Sequence, residues 1–380
     1  MSDELRVTRR TVLRTGGAVA GGSVLAGCTG GGNGDGGNGN GNGNGNGGDA
    51  GGPYSVSMQP VGEIEFESVP QTWAAGTADW ADMGIALGQE PPAALYLTRR
   101  LHTGYYEDIP DVSVDPDEID SLWDDELTRE EFLSLAEDVD LFVMDPKFLK
   151  GRAGWSDDDI EQIETTGTPF FGNSITSRDY SWHQNYDYLT MYEAFEKLAE
   201  VFQEQERYDE FETLHDDFQS ELENVVPSSD RPEAAVLYPQ IEDDSFLPYV
   251  IDESTSYKHL RDLGVEDALA NSDVEDFHAT RGGIDYETLL EVDPEYILLR
   301  TEQYLTEEEF QQNFVEPMEN HNVGQELTAV QNGNISKTLP FYQGPIINLV
   351  ATQRLAQQLY GVEDALFDPQ QVSDIVNGDF

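Results

Sequence analysis

The sequence predicts an α/β protein of two Rossmann-like lobes joined by a long helix, with a ligand cleft between the lobes. Three observations carry this reading. Short apolar segments alternate with helix-like stretches between residues 71 and 172, a run from Asn173 to Val226 contains neither Gly nor Pro, and the alternation restarts after Pro227.

Residues 71–75, 93–97, 141–144 and 169–172 are short, apolar and set apart by turn-rich or helical stretches, as strands of a parallel sheet are. Residues 78–87 and 128–136 are the helices between them. Thr128 and Glu131 form a capping box ahead of Phe132, Leu135 and Ala136. In the Gly- and Pro-free run, Met191, Phe195, Leu198 and Phe202, then Phe211, Leu214, Phe218 and Leu222, recur at helical spacing. Two consecutive helices follow, parted near residues 205–207 where the apolar rhythm lapses. Further on, 234–238 and 295–299 read as strands, 256–263 and 285–290 as helices, and 344–360 as a closing helix with Ile347, Val350, Ala351, Leu355 and Leu359 on one face. The expected organisation is a first lobe over 53–205, an inter-lobe helix over 206–228 and a second lobe over 229–380.

The first 52 residues carry an address rather than a fold. Arg9-Arg10 precedes an apolar stretch from Gly16 to Ala26 that runs into Leu25-Ala26-Gly27-Cys28. This resembles a twin-arginine lipoprotein export signal over 1–28, with a lipid attached at Cys28. The apolar stretch is too short for a membrane span, which needs about 20 residues. Residues 29–52 are almost entirely Gly and Asn, a flexible tether. The chain is therefore expected on the extracytoplasmic face of the membrane, held by its lipid alone. Cys28 is the only cysteine, so no disulfide framework, cysteine metal site or cysteine nucleophile is available.

Acidic residues number 75 against 20 basic ones, for a net charge of −55, and only five of the basic residues are lysine. An excess spread along the whole chain looks like the solvated surface of proteins from very salty environments. It excludes nucleic acid as a partner, because phosphate neutralisation needs a basic patch. Nine of the basic residues after Cys28 fall in segments read as loops following strands: Arg99, Arg100, Lys147, Lys150, Arg152, Arg178, Arg281, Arg300 and Lys337. Ligands of open α/β sheets bind there, and a cationic cleft in an anionic protein favours an anionic ligand.

Catalysis has no visible carrier. There is no G-x-S-x-G elbow, no H-E-x-x-H helix and no glycine-rich phosphate loop after a strand. The six histidines, His102, His183, His215, His259, His278 and His321, are scattered, whereas direct metal capture needs clustered ligands. No catalytic residue, cofactor or bare-metal site is assigned. An exported hydrolase and a cell-surface structural protein are the competing classes; the second would show internal repeats, and only two loosely similar α/β halves are present.

Val69-Pro70, Asp82 to Gly88, Ala136 to Val143 and Gly167 to Phe171 resemble successive first-lobe segments of the iron-siderophore, haem and cobalamin class of periplasmic substrate-binding proteins of ABC importers. In the second half, Leu260-Arg261-Asp262-Leu263-Gly264, the stretch Ile284 to Ile297, and Ala329 to Ile335 are similar to that class. The resemblance runs through nearly all of residues 60–365. It implies the helical-backbone periplasmic binding protein fold and a receptor without enzymatic activity. It also implies docking onto the importer's permease through one acid on each lobe. Those positions fall on Asp82 and Glu287; since Asp82 stands where the class has glutamate, Glu90 is its rival.

For the ligand, aromatic residues beside the basic loops offer broad faces and hydroxyl donors. The expected contacts are Trp73, Arg100, Tyr105, Lys147, Arg152, Trp155, Arg178, Tyr180, Tyr238, Arg281, Arg300, Tyr304 and Tyr342. Guanidinium groups favour carboxylate, hydroxamate or catecholate oxygens, so a ferric siderophore-type chelate is the expected cargo of a monomeric receptor. Cobalamin and haem are the alternatives within the same class.

Overall fold

The computed structural model describes residues 52–123, 127–178 and 180–380. Cys28 and the segments read as export signal and tether lie outside the described residues, apart from Gly52. Among the described residues no helix is long and apolar enough to cross a membrane.

The described residues open with a hairpin, β1 (Tyr54–Met58) and β2 (Gly62–Phe66). It continues through β3 (Trp73–Ala75), α1 (Ala78–Ala86), β4 (Ala94–Leu95), β5 (Asp120–Ser121), α2 (Arg129–Leu135), β6 (Leu141–Val143), α3 (Pro146–Ala153) and α4 (Asp157–Glu164). The strands form an all-parallel sheet in the order β5-β4-β3-β6. The expected strand over 169–172 reduces to one bridge, Phe142 to Phe170. The capping box of Thr128 and Glu131 is present.

Two helices follow, α5 (Met191–Phe202) and α6 (Gln205–Val225). They part at Gln203, which adopts a left-handed backbone with φ 56°, two residues before the lapse in apolar rhythm. Helix α6 is 21 residues long, about 30 Å, and stops two residues ahead of Pro227.

The second sheet is built from β7 (Glu233–Gln240), β8 (Ser245–Tyr249), α7 (Lys258–Asp262), β9 (Glu266–Asp267), α8 (Phe277–Thr280), β10 (Ile284–Asp285), α9 (Tyr286–Val292) and β11 (Tyr296–Arg300). Helices α10 (Glu307–Phe310), α11 (Glu316–Asn320) and α12 (Thr328–Asn332) then lead to β12 (Ile335–Leu339), α13 (Pro345–Tyr360) and α14 (Pro369–Asn377). Its order is β10-β8-β7-β11-β12, with β9 beside the start of β7. Strands β7, β11 and β12 are parallel, while β8 returns antiparallel to β7. The sequence does not announce that return, because Pro248 and the acidic turn before Ser245 read as loop.

Alternation along the buried strands splits the core into three clusters. Trp73 and Ala75 face one side of the first sheet and Ala74 the other; Val236 and Leu298 face one side of the second sheet, with Leu237, Ile297 and Leu299 opposite. The cluster holding Trp73, Val236 and Leu298 also contains Ile346, Val350 and Leu355 of α13. Helix α13 packs against α1 of the first lobe and α7 of the second, so it serves both.

That packing corrects the expectation for Asp82. Its side chain is fully buried, not displayed to a partner. Oδ2 accepts the backbone N–H groups of Ile346 and Ile347, at 3.1 Å each, and Oδ1 accepts the Tyr106 hydroxyl at 2.8 Å. Asp82 thus caps α13, where the helix terminus favours an anion, and is unavailable to an arginine of another protein. Glu90 is exposed. Burial pushes the Asp82 carboxyl up to about 7, against the hydrogen bonds that lower it. Between the ordinary value of about 4 and about 7 the folded state holds a proton that the unfolded state releases. Stability from this group is therefore fullest at the low end and is lost as pH rises through the window. Melting curves of the wild type and Asp82→Asn from acid to neutral pH should show the variant with a shallower loss, the difference being on the order of a few kcal/mol; the rest of the slope includes Asp79, buried on the same helix and also raised by burial.

Candidate ligand-binding site

A cavity of about 380 Å³ opens between the two sheets. From the first lobe it is lined by Tyr96 and Arg100 just past β4, by Phe148, Gly151 and Arg152 of α3, and by Thr176, Ser177, Tyr180 and Trp182. The second lobe contributes Tyr249 at the end of β8, Phe277, His278 and Arg281 of the α8 turn, Arg300 at the end of β11, and Phe341 and Tyr342 after β12. Tyr96, Arg300, Phe341 and Tyr342 lie at the carboxyl ends of parallel strands, where open sheets place their ligands.

Among the described residues, four arginines and no carboxylate line this cavity. Arg300 is 4% exposed. Its guanidinium lies 4.7 Å from the centre of the Tyr249 ring and 4.4 Å from that of Phe341, and it donates to the Tyr257 hydroxyl and the Phe341 carbonyl at 3.2 Å each. Aromatic faces and neutral acceptors hold the charge, and no described carboxylate forms a salt bridge with it. Arg281 sits over Phe277 in a left-handed turn with φ 59°. Arg152 covers Trp123.

Arg100 is held differently. Nη1 donates to the Tyr342 hydroxyl at 3.1 Å, Nη2 donates to Glu302 at 2.5 Å, and the guanidinium lies 4.2 Å from the Phe341 ring centre. Nε is buried without a hydrogen-bond partner. Burial works to depress this guanidinium, but Tyr342 and Glu302 outweigh it and hold it above its usual range. Burial pushes Tyr180 up to about 12 and raises Tyr96 and Tyr249, so these phenols remain neutral hydrogen-bond donors at ordinary pH. The cavity can bind oxygen anions against aromatic walls. Among the described residues no group of three His, Cys, Asp or Glu could hold a bare metal ion.

Six of the expected contacts line the cavity: Arg100, Arg152, Tyr180, Arg281, Arg300 and Tyr342. The other seven do not. Trp73 is core, packed on Phe202 with its indole N–H donated to the Glu90 carbonyl. Tyr105 and Tyr304 line a separate small cavity with Arg354 and Lys337. Lys147 lies over Tyr186, Arg178 over Tyr188, Trp155 against Phe132 and Tyr238 against Phe341. The segment carrying Lys147, Lys150 and Arg152 is helix, not loop. Asp145 caps it, Pro146 opens it and left-handed Gly154 closes it, signals the sequence does contain. The residues missed are Tyr96, Phe148, Gly151, Thr176, Ser177, Trp182, Tyr249, Phe277, His278 and Phe341. Tyr96 was legible from its place at a strand end; Tyr249 was hidden with β8.

A groove of about 450 Å³ on the second lobe is lined by Asp273, Glu275 and Glu291 and no cation; it offers an anion nothing. Two α/β lobes around a cationic, aromatic cleft, sharing one helix, define the class of two-lobed solute-binding proteins. The chain belongs to the periplasmic binding protein family, whose sequence model matches residues 140–340, and this bears out the resemblance read from the sequence. No curated protein sequence matches it. The fold is similar to that of a periplasmic binding protein from Veillonella parvula, at 16% identity and TM-score 0.58, over 82% of this chain and 99% of the other. An ABC-type Fe3+-hydroxamate transport system structure from Saccharomonospora viridis aligns at 18% identity and TM-score 0.55, over 81% and 99%. The periplasmic catecholate-siderophore binding protein of Vibrio cholerae aligns at 15% identity and TM-score 0.52, over 82% and 100%.

Trp182 lies flat on Gly151, where an added Cβ would meet the indole at 2.2 Å. Gly151→Ala should therefore lift this ring off the cavity wall and shift the protein's tryptophan emission, a change absent when the substitution is made in a Trp182→Phe background.

Proposed function

We propose that this chain is the extracytoplasmic solute-binding lipoprotein of an ABC importer, capturing a ferric siderophore-type chelate between its lobes and passing it to the membrane permease. The observation that carries the reading is the cavity itself. A chain with 75 acidic residues lines one cleft, among its described residues, with four arginines and no carboxylate, a selection that favours an anionic ligand. Aromatic walls suit a bulky, partly apolar chelate, while the guanidinium groups suit its exposed oxygens. The hydroxamate and catecholate cargoes named for two of the similar structures support the same ligand class. The chain performs no chemistry on its cargo. It is anchored through Cys28, works as a monomer, and docks through Glu287, exposed in the first turn of α9, and Glu90 on the first lobe.

Titration of tryptophan fluorescence in concentrated salt, with ferric catecholates, ferric hydroxamates, ferric citrate, haem and cobalamin in parallel, tests the ligand class. Saturable quenching by a ferric chelate is expected, weakened about tenfold or more by Arg152→Ala or Arg281→Gln, since each removes a charge-assisted hydrogen bond. Arg178→Ala, outside the cavity, should leave it unchanged. Saturation by haem or cobalamin alone would keep the receptor and overturn the siderophore reading.

Docking separates from binding in a second experiment. Glu287→Arg should abolish cellular uptake of the bound chelate with its affinity intact, because a repulsive contact replaces an attractive one; undiminished uptake would remove Glu287 from the interface.

A further inference from the structure

Of the four cavity arginines, Arg100 alone is tied to a described carboxylate, and that carboxylate comes from the opposite lobe. Glu302 follows β11 and spans two arginines that follow β4, one oxygen bonded to Arg99 Nε and the other to Arg100 Nη2. Its main chain is fixed independently, since its carbonyl oxygen faces His102 Nε2 at 3.2 Å. Burial depresses His102 to about 4, so the ring stays neutral. Next to it, Gly104 lies flush under Tyr304, where a Cβ would meet the ring at 2.3 Å, and Arg354 of α13 donates to the Gly104 carbonyl at 3.0 Å and the Tyr304 hydroxyl at 3.2 Å. The loop bearing Glu302 is thereby stitched to the first lobe without help from its carboxylate. Glu302 is not among the cavity-lining residues; its effect on a ligand passes through Arg100.

From this geometry we infer that Glu302 is a positioning residue that sets the charge a ligand must carry. It occupies one edge of the Arg100 guanidinium, which keeps the group oriented, and it subtracts a negative charge's worth of attraction from that wall. An anionic chelate must share Arg100 with Glu302, whereas a neutral chelate of the same size meets no such competitor. The site therefore discriminates among chelates by charge as well as shape. The inference rests on the proposed function, that the cleft binds ferric chelates.

The test uses two probes, a trianionic ferric tris-catecholate and a neutral ferric tris-hydroxamate, titrated into wild type, Glu302→Gln, Arg100→Gln and the double variant in concentrated salt. Glutamine keeps the length and one acceptor oxygen, so Arg100 stays in place. Glu302→Gln should tighten the trianionic probe by about tenfold, one neutralised contact pair, and leave the neutral probe unchanged. The gain should vanish when Arg100 is already glutamine. An equal change for both probes, weaker binding of the trianion, or a gain that persists without Arg100 would overturn the role given to Glu302 while leaving the site standing. If the wild type binds neither probe, the ferric-chelate reading fails and this inference falls with it.

Discussion

In a chain so rich in carboxylates, the governing constraint is to keep a few guanidinium groups charged and unneutralised. Elsewhere on the molecule, while Lys147 and Arg178 lie over tyrosine rings, many cations are captured by acids: Arg129 by Asp159, Lys150 by Asp157, Lys197 by Glu200, Arg207 by Glu204 and Arg354 by Asp108. Such surface pairs contribute little to stability, yet each removes a cation from use. At the cleft no described carboxylate lines the cavity, and rings stand against its cations. Arg300 is the clearest case, enclosed by Tyr249, Tyr257 and Phe341, a setting that removes water without cancelling charge.

Bringing those rings and cations together depends on the sheets. Both present the carboxyl ends of parallel strands to the same cleft, and helix α13 packs against elements of each. The central core, running from Trp73 through Val236 to Leu355, makes the floor of the cleft continuous with the hydrophobic interior. Glu302 is the exception, a carboxylate admitted next to Arg100 from the facing lobe.

Much of this was legible in the sequence where one pattern had one meaning. The helical spacing of Phe195, Phe202, Phe211 and Phe218, the capping box at Thr128 and the strands around Ala74 and Leu298 all form as their patterns require. Six of the thirteen expected contacts line the cavity: Arg100, Arg300 and Tyr342 because a residue at or just past a strand end has a direction as well as a position, and Arg152, Tyr180 and Arg281 from a helix, a loop and a helix end. Trp73 and Tyr105 failed for the converse reason: burial of an aromatic ring is the commonest fate of its type, and a sequence does not say which side of a sheet is wet. Asp82 is more instructive. An acid in a helix reads as exposed, and only the fold brings the N–H groups of Ile346 and Ile347 against it.

That last contact has a consequence for how the molecule is made. Asp82 and Ile346 stand 264 residues apart along the chain. During synthesis the first lobe emerges long before the residues that complete it, and until they arrive α1 holds a carboxylate with no helix terminus to cap. The cap on α13 therefore forms only after the strands of both sheets have been made, although its acid stands early in the first lobe. Contacts of such long range slow the search for the native state, and here one of them joins α1 of the first lobe to a helix made after both sheets.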